Sequence, residues 1–102
     1  MAELIWTLPC LENLDEIADY IALDNPEAAK NLIKKIFYEA ETLTEFPQSG
    51  NVPPELQGTS YRRIVVPPVN VYYRIDGDKM VMIHARRAER YFSVENLQSY
   101  DK

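Results

Sequence analysis

The chain is short of the residues that staple or metallate a small protein: one cysteine, one histidine and three glycines in 102 residues. The lone Cys10 cannot close an internal disulfide, and the lone His84 cannot build a multi-histidine metal site, so no metal and no cofactor are expected. Cys10, with no histidine near it in sequence, reads as a small residue at the start of a helix rather than a nucleophile. Long hydrophobic runs are missing too. The longest uncharged stretch, residues 64–73, is far below the roughly 18 to 20 apolar residues that span a bilayer. The opening MAELIWTLPC lacks the basic segment of an export signal. No membrane partner and a cytoplasmic location are expected.

What remains is the composition of an ordinary folded domain, with 46% hydrophobic and 26% charged residues, enough to exclude disorder over the whole length. The length suits one core, so residues 1–102 are read as a single domain. Net charge is −5, but it is unevenly spread. Residues 1–59 carry eleven Asp or Glu against three Lys, whereas residues 60–91 carry seven Lys or Arg against Asp76, Asp78 and Glu89. A basic patch on an acidic body suits an acidic or polyanionic partner at one face and disfavours indiscriminate phosphate binding.

Residues 2–8 alternate, with Ala2, Leu4, Trp6 and Leu8 on one side, as in a short strand that Pro9 ends. From Leu11, apolar residues at 11, 14, 17, 18 and 21 follow the spacing of an amphipathic helix. Asn25 as cap, Pro26 in the first turn and Glu27 after it start a second helix. Its stripe of Ala29, Leu32, Ile33, Ile36, Phe37, Ala40 and Leu43 runs until Phe46 and Pro47. Residues 47–60 read as loop. Three strand-like runs follow, joined by Pro67-Pro68, read as a wide loop, and by Asp76-Gly77-Asp78, read as a hairpin turn. Residues 92–102 form a tail, docked on the sheet or loose, in which 93–100 have room for one or two helical turns. The expected architecture is α+β: a helical hairpin on one face of a mostly antiparallel sheet, in the order β-α-α-β-β-β, with the other face open.

Alternation along the last three strands turns Ile64, Val66, Val71, Tyr73, Ile75, Val81, Ile83 and Ala85 toward the core. Arg63, Tyr72, Arg74, Met82, His84 and Arg86 then share the opposite face, which becomes the candidate working surface.

The phrases IADYIALDNPEAAKNLIKKI, FPQSGNVPPELQG, YRRIVVPPVNVYYRI and VMIHARRAER, in that order on those elements, resemble the RelE/ParE superfamily of toxins from type II toxin-antitoxin modules. The resemblance runs from about Trp6 to Tyr91 and is nearer to ParE-like members. It implies a cognate antitoxin as partner, with operator DNA met only through that antitoxin. It also implies one of two targets: DNA gyrase, inhibited by protein binding, or the ribosome, where messenger RNA is cut. A toxin that keeps antitoxin binding but no activity is the third reading.

For RNA cleavage, Arg63, Arg74 and Arg86 would hold the phosphate, His84 would move a proton, and Tyr91 would stack on a base or act as acid. The acidic total charge, the mid-strand position of His84 and the loose spacing of Arg86 to Tyr91 favour the gyrase reading. Target contact is then assigned to Arg63, Arg74, Arg86, Arg87 and Arg90, and antitoxin contact to Arg62, Tyr72, Met82 and His84.

Overall fold

A computed structural model describes residues 1–88 and 94–101. The order is β1 (Glu3–Trp6), α1 (Leu8–Ala22), α2 (Pro26–Leu43), two short 3-10 turns (Pro47–Ser49 and Pro54–Leu56), β2 (Tyr61–Val66), β3 (Val69–Asp76), β4 (Lys79–Arg87) and α3 (Val94–Tyr100). None of the described helices is long and apolar enough to cross a membrane.

Local chemistry sets the helix starts. Thr7 caps α1, its hydroxyl oxygen accepting the Cys10 N–H at 3.3 Å. Pro9 therefore lies inside the first turn of α1, where its missing N–H costs nothing, and the helix begins three residues earlier than the apolar spacing suggests. Asn25 caps α2 as expected, accepting the Ala28 N–H at 3.1 Å, with Pro26 as the first helical residue.

The four strands form one sheet in the order β1-β4-β3-β2. β1 runs parallel to β4 from Glu3↔Lys79 to Trp6↔Met82, and the other two pairings are antiparallel. β3 and β4 turn tightly through Gly77, whose φ of 62° lies in the left-handed region that glycine adopts without penalty. The expected wide loop at Pro67-Pro68 is instead a two-residue turn between paired Val66 and Val69, with a cis bond between the prolines. No ladder donor is lost there, because both prolines stand outside the pairing.

The helical hairpin covers one face. Cys10, Leu14 and Ile17 of α1 and Ile36 and Ala40 of α2 bury against Ile64, Val66, Val69, Val71, Tyr73, Met80, Met82 and Ala85. Trp6 and Phe37 add an edge-to-face pair at 4.8 Å. In β4 the observed faces reverse part of the expectation: Met82 points to the helices, while Val81 and Ile83 point away from them. The register jumps from Tyr72↔His84 to Tyr73↔Met82. This bulge leaves Ile83 as an extra residue, so alternation counted back from Ala85 is wrong by one before it.

The other face is not open. Leu56 from the second 3-10 turn and Leu97 from α3 are fully buried on it with Tyr61, Tyr72, Val81 and Ile83. The described part of the C-terminal tail is thus a docked helix.

Candidate functional site

The register places Arg63, Tyr72 and His84 side by side across the outer face, with Tyr61 opposite Arg74 in the adjoining row and Asn70 opposite Arg86 on the far side. The expectation that Arg63, Arg74, His84 and Arg86 share a face therefore holds. Arg87, one residue on, turns to the helix side, its guanidinium 4.9 Å from the centre of the Tyr20 ring of α1. Arg90 and Tyr91 lie outside the described residues.

Most of these groups already have partners in the fold. Arg63 donates to Asn51 Oδ1 at 3.0 Å and lies 3.9 Å from Glu55, while its backbone pairs with Asn51 in an isolated bridge. Arg62 donates to the Gln48 carbonyl at 2.9 Å. Both contacts tie the loop of residues 47–60 to β2.

Arg74 is held by α3. Its Nε donates to both oxygens of Asp101, at 3.2 and 3.0 Å, and its Nη1 to Asp76 at 3.3 Å. Tyr61 donates its hydroxyl to the same Asp101 carboxylate at 3.0 Å. Burial alone would pull the Arg74 pKa down, but the hydrogen bonds and charges of Asp101 and Asp76 outweigh it and leave Arg74 above its ordinary value. Burial, with Asp101 beside it, raises Tyr61. Asp101 was not foreseen from sequence, although Leu97, Tyr100 and Asp101 have the three- and four-residue spacing of one helix face.

His84 is stacked on Tyr100, centroids 4.1 Å apart. Burial, then the charge of Arg86, push its pKa down to about 4, so it is neutral near pH 7. Of the residues assigned to antitoxin contact, Tyr72, Met82 and His84 are at most 6% exposed. Met82 belongs to the helix-side core, Tyr72 to the cluster under α3, and His84 lies beneath Tyr100. Met82 is therefore enclosed by the helical layer, Tyr72 is covered while α3 is docked, and His84 shows only a small surface, toward a cleft beside Arg86. Cys10 is fully buried, with its thiol pushed up to about 12 by burial, which makes it an inert packing residue.

β1 ends at Trp6, so among the described residues β4 beyond Met82 has a strand only on its β3 side. Asn13 of α1 fills part of that gap, accepting the Ala85 N–H at 3.2 Å. A cleft of about 230 Å³ opens there, lined by Asn13, Glu16, His84, Arg86, Arg87 and Tyr100. Among the described residues no three ligands gather that would hold a metal.

Comparison with known proteins gives one family. The family described as ParE toxin of type II toxin-antitoxin system, parDE, matches residues 4–90. The protein Y4kP of Sinorhizobium fredii is 34% identical over 84 residues, covering 80% of this chain and 86% of that protein. Toxin RelE2 of Caulobacter vibrioides is 30% identical over 90 residues, covering 88% of this chain and 99% of its own. A solved chain of the chromosomal ParDE system from P. aeruginosa superposes with a TM-score of 0.72 at 26% identity, covering 87% of this chain and 98% of that one. The chain belongs to the ParE toxin family of type II toxin-antitoxin systems, and that membership implies a cognate antitoxin.

Proposed function

We propose that this toxin acts in the cytoplasm by binding a protein, DNA gyrase, rather than by cutting RNA. The observation that carries the reading is the match to the ParE toxin family over residues 4–90; with α3 docked, His84, the only imidazole of the chain, is also stacked beneath Tyr100. A general base must reach the proton it removes. Arg63 and Arg74 are bound to the fold itself. The acidic total charge of −5 also opposes approach to a surface of ribosomal RNA.

Target contact then falls on Arg86 and Arg87 at the uncovered end of β4, with Arg63 and Arg74 beside them on the outer face or beneath α3. The test is supercoiling by purified gyrase. Inhibition at micromolar toxin, weakened by Arg86→Ala, is the expected result. Unimpeded supercoiling would remove the proposal.

The reading as a ribosome-dependent endonuclease is favoured by one observation, the placing of Arg63, His84 and Arg86 on one face. Primer extension on translated messages after induction separates the two, since only the nuclease leaves cuts at the A-site codon. A chain that binds antitoxin yet leaves growth unaffected on induction fits neither.

A further inference from the structure

α3 has seven residues, too few to stay helical in water unaided, so what holds it is the sheet beneath. Two of its side chains, and that of Asp101 just after it, each have a different seat. Leu97 is fully buried among Tyr61, Tyr72, Val81 and Ile83. Tyr100 lies flat on the His84 imidazole. Asp101 takes the Arg74 Nε and the Tyr61 hydroxyl, at 3.0 Å from each on one oxygen. The Arg74 and Asp101 side chains are 29% and 16% exposed, so this charge-assisted contact is better shielded from solvent than an ordinary surface ion pair.

An apolar well, a flat ring, then a cation flanked by a hydroxyl make a seat for a short amphipathic acidic helix. The chain fills that seat itself. While it does so, His84 is covered and the guanidinium of Arg74 is bound, although both belong to the face that carries Arg63 and Arg86.

We propose that α3 is a latch on the toxin: docked through Leu97, Tyr100 and Asp101 it closes the outer face of the sheet, and the target is engaged only once α3 has left. This rests on the reading of that face as target-binding. A partner shifts such an equilibrium only by the difference in its affinity for the two states, and a larger open fraction raises apparent affinity in proportion.

Two substitutions loosen the latch without replacing any arginine assigned to target contact. Asp101→Asn removes the carboxylate charge, and Tyr61→Phe removes one hydroxyl donor. Two measurements on the full chain then decide. The single histidine gives one set of imidazole proton signals by NMR, shielded by the Tyr100 ring while the stack holds and moving downfield when it opens. Growth arrest under graded induction, at matched soluble toxin, reads potency whatever the target is.

Both variants are expected to move the imidazole signals downfield and to lower the toxin level for half-maximal arrest by roughly three- to tenfold. Signals that stay in place overturn the latch, as do signals that move while arrest is unchanged or weakened. Absence of arrest in every version overturns it as well. Stronger arrest with gyrase unaffected keeps the latch and removes the gyrase reading alone.

Discussion

The imidazole of His84 and the ring of Tyr100 lie 3° from parallel, one on the other, and the sheet residue is thereby kept out of water by a helix residue. Its titration should be visible in stability. Above about pH 6.5, the ordinary histidine value, both folded and unfolded chains carry a neutral ring. Below it the unfolded chain takes up a proton that the folded chain refuses until about pH 4. Stability therefore falls as pH drops through that window, by at most about 1.4 kcal/mol per pH unit for one proton. Chemical denaturation between pH 6.5 and pH 5, above most carboxylate titration, should show the slope in the native chain and a flatter line in His84→Gln.

Gly50 is required for a close approach and not for its backbone angle, since its φ of −63° suits any residue. A Cβ there would overlap the Tyr73 hydroxyl and lie 2.8 Å from Cζ of the same ring. Tyr73 is fully buried and donates to the Pro47 carbonyl at 2.5 Å, fastening the loop to the core. Gly50→Ala should cost about 1 to 3 kcal/mol, and Tyr73→Phe about 1 kcal/mol. The double variant should lose less than the sum, because removing the hydroxyl relieves part of the overlap. Urea unfolding of the four proteins measures this.

Met82 should behave as a core residue. Met82→Ala should lower unfolding stability by about 2 to 5 kcal/mol and leave antitoxin affinity unchanged at temperatures where the variant is folded. Denaturation together with calorimetric titration of antitoxin checks both halves.

Asn13→Ala should expose the Ala85 amide at the uncovered stretch of β4. The expected cost is about 1 kcal/mol, with hydrogen exchange quickened at Ala85 more than at Val71, its neighbour in the ladder.

Local signals in the sequence were sufficient for the elements. Asn25-Pro26 marks the start of α2, and Asp76-Gly77 marks the hairpin, because caps and tight turns are decided by a few adjacent residues. The shared face of Arg63, Arg74, His84 and Arg86 was legible from alternation alone. What alternation could not reveal is the bulge at Ile83, since an inserted residue changes pairing without changing composition, and it reversed the faces of Met82 and Val81. The cover on the outer face was hidden for another reason. Leu97, Tyr100 and Asp101 sit in a short polar segment whose helical order comes from contacts with residues far along the chain, and no local preference records those.

The neighbouring of β1 and β4 bears on how the molecule is made. Thr7 hangs on the Met82 carbonyl through both its backbone N–H at 3.2 Å and its hydroxyl at 2.8 Å, so the first strand waits for the last. Joining segments this distant is the slow kind of closure. During synthesis β4, an inner strand of the sheet, emerges after the helical hairpin and after β2 and β3. A chain not yet extended through β4 therefore lacks Arg86 and Arg87 and leaves β1 without its partner strand.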